Sequence, residues 1–99
     1  MGRILSAEEL AVDKVLAVFG RAEARDFVDL AALEPRFGLG HLCELAERKD
    51  TGFRRTVLAE MLDRFDRLDR DEFDVDDTTF ASIVISVRQW RTRLRAMPD

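Results

Sequence analysis

The 99-residue sequence predicts an all-α fold, a compact bundle of about five helices that opens on an antiparallel helix pair. Three observations carry this. Apolar residues recur at three- and four-residue intervals along most of the chain, no stretch alternates in the manner of a strand, and there are only two prolines to break helices. Hydrophobic residues make up 46% and charged residues 36%, a balance that suits amphipathic helices around one modest core. A chain of this length is one domain's worth, so residues 1–99 are read as a single helical domain.

The first helix is expected to begin near Ala7. Ser6 is followed three residues later by Glu9, the capping-box spacing in which each side chain satisfies the other's backbone N–H. Ala11, Val15, Val18 and Phe19, with Val12 beside them, form its apolar stripe, and Gly20 is a plausible stop. The second helix starts near Ala24, carries Phe27, Leu30, Ala31 and Leu33, and ends about Glu34, because the residue before Pro35 is pushed out of helical geometry. "RFGLG" is a break. A short third helix, "HLCELAERK", follows Gly40, and "DTGF" supplies the turn before a fourth, whose stripe runs through Val57, Leu58, Met61, Leu62, Phe65 and Leu68. The acids closing "RDEFDVDDTT" are placed to cap a fifth helix bearing Phe80, Ile83, Val84, Val87, Trp90 and Leu94.

The net charge of −4 argues against a protein that coats nucleic acid through bulk charge. The charge is unevenly spread. Acids dominate from Glu60 to Asp77, whereas Arg88, Arg91, Arg93 and Arg95 follow with no acid before Asp99. Cys43, the one cysteine, cannot form an internal disulfide. Neither a secretory signal nor an apolar run of membrane-spanning length is present, so the expected location is the cytoplasm, with no membrane partner.

"RAEARDFVDL", residues 21–30, sets charges along what otherwise reads as a buried helix. At about 100° per residue, Asp26 falls at the edge of the apolar stripe and Asp29 just beyond it. Lys14 has only apolar residues three and four positions away, and so lacks a local acidic partner. In a hairpin turning around Gly20 to Glu23, Lys14 and Asp29 stand at similar distances from the turn and can approach, with Arg21 and Arg25 at its mouth. Lysine and carboxylate held together at a cleft can bind a phosphate, a metal-bound nucleotide, or only each other. Interhelical salt bridges at a core boundary are the commoner arrangement, and Arg25 with Asp29 at i,i+4 needs no function.

The run "DKVLAVFGRAEARDFVDLAAL", residues 13–33, resembles the last two motifs of the AbiEii/AbiGii toxin family of bacterial nucleotidyltransferases: a lysine, a following arginine, then "RDxxDxxxL". Lys14, Arg21, Arg25 with Asp26, Asp29 and Leu33 match in order and spacing. "RFGLGHLCELAERKDTGF" and "LDRDEFDVDD" also resemble the family's helical tail, so the resemblance covers nearly the whole chain but only the family's C-terminal part.

This resemblance implies that Lys14 contacts nucleotide phosphate and that Asp29 is an essential active-site acid, both in the catalytic set. Arg21, Arg25 and Asp26 would bind substrate or support that acid. It implies Mg2+ and a nucleoside triphosphate for the complete enzymes, which act as toxins of toxin-antitoxin systems, some of them on tRNA. The family's Gly-Ser and Asp-x-Asp motifs, carried on a sheet before the lysine, are not found here. This chain alone is therefore expected to lack the catalytic core, to bind no cofactor and to be inactive unless a separate nucleotidyltransferase core acts with it. The expected partners are that core, an antitoxin, or a second copy; the alternative function is a noncatalytic helical module for dimerisation or protein interaction.

Other motifs are weaker. "DRDEFDVDDTTF" has the length of a calcium loop, but Asp74 stands where glycine is required and Phe80 where the last ligand belongs. His41 and Cys43 are too few for zinc, and no metal site is expected. Arg88, Arg91 and Arg95 share a helix face that reads either as an RNA-contacting surface or as a solvated face near the acidic loop. Trp90 is expected in the core.

Overall fold

The computed structural model describes residues 6–97. Among them are five α-helices, α1 (Ala7–Gly20), α2 (Ala24–Leu33), α3 (Leu39–Lys49), α4 (Arg55–Leu62) and α5 (Asp77–Arg95), with no strand. Helix α1 is central and packs on α2, α3 and α4, while α5 closes the other side against α2 and α4. The radius of gyration, 13.1 Å, is what a folded chain of about 100 residues should have.

Helix α1 begins as its cap dictates. The Ser6 hydroxyl accepts from the Glu9 N–H at 3.0 Å. Ala11, Val12, Val15 and Val18 are buried. The chain then reverses over three residues, with Ala22 in the left-handed region at φ 51° and its N–H donating to the Ala17 carbonyl at 3.0 Å. That reversal makes α1 and α2 the expected hairpin.

Helix α2 ends one residue before the expected place, and for a different reason. Glu34 is not expelled from helical geometry by Pro35; it keeps φ −56° and ψ −40° and opens a single 3-10 turn over Glu34–Arg36. Proline is admissible there because the early N–H groups of a helical turn need no intrahelical partner. Helix α3 starts at Leu39, two residues ahead of the expected His41, because Gly38 takes φ 87° and provides the bend.

The fourth apolar stripe divides in two. Helix α4 stops at Leu62 and the chain tightens into a 3-10 segment, Asp63–Arg67. Leu62, Phe65 and Leu68 lie three apart, the repeat of a 3-10 helix, so they can still point inward. Leu62 and Phe65 are buried and Leu68 packs against the core, but Val57 is exposed, contrary to its place in the expected stripe.

The acidic stretch is ordered by Arg70. Its guanidinium donates to the Phe73 and Val75 carbonyls at 3.1 and 2.8 Å, meets Asp77 at 2.8 Å and lies 4.6 Å above the Phe80 ring. Phe65, Phe73 and Phe80 cluster there, with Phe27 of α2 edge-on to Phe65 at 5.2 Å. Asp76 caps α5 by accepting from the Thr79 N–H at 2.7 Å, as expected of the closing acids.

Trp90 is fully buried, and its indole N–H donates to Glu34 at 3.0 Å. Arg93 reaches the other oxygen of that carboxylate at 3.2 Å. Arg91 donates to the Leu62 carbonyl at 2.9 Å and pairs with Asp66 at 3.0 Å, which places it near the acidic stretch. Among the described residues no helix is long and apolar enough to cross a membrane.

Candidate functional site in the α1–α2 hairpin

Six charges meet where α1 turns into α2, three cations (Lys14, Arg21, Arg25) and three carboxylates (Glu23, Asp26, Asp29). Asp26 is the innermost, with no exposed surface. It occupies the third position of α2, where its carboxylate reaches back to accept from the Glu23 N–H at 3.1 Å, and Glu23 in turn caps the Asp26 end of the helix. Arg21, just before the turn, donates Nε and Nη2 to the two Asp26 oxygens, each at 2.9 Å. This is the two-pronged geometry that guanidinium and carboxylate share.

The same carboxylate is 3.9 Å from the Lys14 Nζ, and Lys14 makes its close contact, 2.8 Å, with Asp29 Oδ2. The approach expected across the hairpin is therefore present. Asp29 sits one turn beyond Asp26 on α2 and is 45% exposed, whereas Lys14 is 19% exposed, so the pair lies at the edge of the core with its acidic end toward solvent. Arg25, 68% exposed, pairs with Glu23 at 3.3 Å and not in the i,i+4 pair with Asp29.

Burial alone would push the Asp26 carboxyl up. The Arg21 hydrogen bonds, the Glu23 N–H and the positive charges of Arg21 and Lys14 outweigh it and hold the group below the ordinary carboxylate range. Arg21 is correspondingly raised, first by its hydrogen bond to Asp26. The two shifts agree on a tightly held ion pair.

On the Asp29 side of the pair a shallow cleft of about 170 Å³ is lined by Arg25, Val28, Asp29, Glu72 and Asp74. Small-molecule sites usually enclose ~300–1,000 Å³. This chain can surround only part of a nucleotide there.

The other sequence candidates lie apart. His41 is exposed and meets Glu8 at 2.9 Å, while Cys43 is buried, its thiol pushed up to about 11 chiefly by burial. Among the described residues no three His, Cys, Asp or Glu side chains converge on a metal position. Glu34 escaped the sequence reading. A glutamate before proline carries no mark of burial, and its partners Trp90 and Arg93 are distant in sequence.

The arrangement defines a helical unit that presents a lysine–aspartate pair on a rigid hairpin. The model of one family, described as nucleotidyl transferase AbiEii toxin, Type IV TA system, matches residues 3–98. The chain belongs to that family. No curated protein and no solved structure matches it.

Proposed function

We propose that this chain is a helical module of a nucleotidyltransferase-type toxin and carries the Lys14/Asp29 half of a nucleotide-transfer site, inactive without a core supplied from elsewhere. The observation that carries the reading is the 2.8 Å Lys14–Asp29 pair, whose Asp29 lines a cleft and whose Lys14 is backed by a buried carboxylate. Membership of a family described as nucleotidyl transferase toxins supports it.

In this role the Lys14 ammonium receives a phosphate of the incoming nucleoside triphosphate. A phosphate on Lys14 takes the place of Asp29, whose carboxylate is then released to accept a hydrogen bond from an attacking hydroxyl. Arg25, exposed beside the cleft, adds positive charge for the rest of the phosphate chain.

Phosphoryl and nucleotidyl transfer also draw on a divalent metal to neutralise the triphosphate. The donor set of the hairpin does not fit one: Asp26 is committed to Arg21, which leaves Asp29 as a single carboxylate even when phosphate has freed it, and among the described residues no three such side chains converge. The metal-holding half of the site therefore belongs to other residues than these. In a Type IV toxin family an antitoxin is the further partner.

A noncatalytic interaction module is the other reading. It rests on Leu10, Val57 and Ile85, which are exposed but lie on three different helices, and single exposed apolar residues are ordinary.

Amide shifts during titration with ATP, CTP, GTP and UTP plus magnesium separate the two. The half-site reading expects shifts clustered on Lys14, Arg25 and Asp29 that Lys14→Ala abolishes while the remaining spectrum is kept. Absence of shifts at millimolar nucleotide would leave the interaction module.

A further inference from the structure

We propose that Arg21 is a positioning residue for Lys14: by occupying both oxygens of Asp26, it keeps the lysine ammonium on the outer side of the cluster, where an anionic phosphate can reach it. The inference rests on the half-site reading of the hairpin.

Asp26 is fully buried and accepts three hydrogen bonds, two from Arg21 and one from the Glu23 backbone. With those in place Lys14 is held 3.9 Å from it, beyond hydrogen-bond reach, and spends its short contact on Asp29. A buried carboxylate deprived of its cation is strongly unfavourable. Among the described residues Lys14 is the other cation within ion-pair distance, on a flexible four-carbon stem, and a movement of about 1 Å would convert its 3.9 Å approach into a hydrogen bond. Attraction in the interior is also screened less than attraction to the half-exposed Asp29. Loss of Arg21 should therefore draw Lys14 inward, and a phosphate would then compete with a buried carboxylate for it.

Arg21 is itself 44% exposed, so direct contact with phosphate is the rival role. Removing the Asp26 charge tells them apart. If Arg21 acts by neutralising Asp26, then Arg21→Gln is harmful only while Asp26 is charged.

The experiment titrates the full chain with inorganic triphosphate and follows the Lys14 side-chain nitrogen by NMR, in wild type, R21Q, R21K and R21Q/D26N. Backbone spectra establish that each variant is folded. R21Q is expected to weaken binding roughly tenfold and to move the Lys14 nitrogen resonance, with R21K, which keeps the charge but not the fork, falling between. The double variant should return binding to within about threefold of wild type. Should R21Q alone fail to fold, the R21K shift and its reversal in R21K/D26N take its place. Binding that stays lost in the double variant, with the Lys14 resonance unmoved throughout, would overturn the proposal and make Arg21 a phosphate ligand. If wild type binds no triphosphate, the half-site reading fails by itself; the Lys14 resonance then decides, a shift in R21Q reversed by D26N supporting the positioning role and no shift overturning it.

Discussion

A carboxylate without exposed surface stays ionised only where its neighbours replace the water it has lost, and Asp26 has the Arg21 fork, the Glu23 N–H and the nearby Lys14 charge to do so. Its folded pKa is lowered, so its ionised form favours the fold above the ordinary Asp value of about 3.9, and this contribution is lost as pH falls from there through the lowered value. Asp26→Asn should therefore flatten the acid side of the stability curve below about pH 4, as measured by urea denaturation at successive pH values. At neutral pH the same variant leaves Arg21 facing a neutral amide. A cost of about 1–3 kcal/mol is expected, at the modest end because Arg21 keeps much of its contact with water. The Lys14 to Asp29 approach was legible in the sequence because a lone lysine in an apolar stripe and an acid equidistant from a turn have one obvious way to meet. The fork from Arg21 to Asp26 was not legible, because it depends on the left-handed Ala22, and alanine gives no sign of that conformation.

At the level of the element, Gly38 is where backbone chemistry alone sets a helix start. An added Cβ would meet nothing within 4 Å, so any cost of Gly38→Ala comes from forcing alanine to φ 87° and not from a clash. The expected loss is about 1–2 kcal/mol, which for a domain of this size lowers the melting temperature by roughly 4–12 °C in a thermal scan. Helices α1, α2 and α5 were legible because their caps and stripes agree. Helix α4 was overextended because a spacing of three fits both an α-helical face and a 3-10 turn, and Leu62, Phe65 and Leu68 satisfy either.

At the scale of the whole molecule a polar link joins segments far apart in the chain: Glu34 accepts from Trp90 and from Arg93. Trp90→Phe removes the indole donor and leaves a gap in the core, so a loss of about 2–4 kcal/mol is expected, read from the midpoint of chemical denaturation at unchanged slope. No local pattern could have announced that link, since each partner looks ordinary in its own neighbourhood. The half-site differs in this respect. Lys14, Arg21, Asp26 and Asp29 are drawn from one short run of chain whose ends are joined by a single reversal, and closing so short a loop costs little entropy. The Glu34 and Trp90 contact must instead wait for a much longer closure. The hairpin, whose contacts close over a short loop, is therefore expected to form ahead of the long-range contacts that seat the remaining helices.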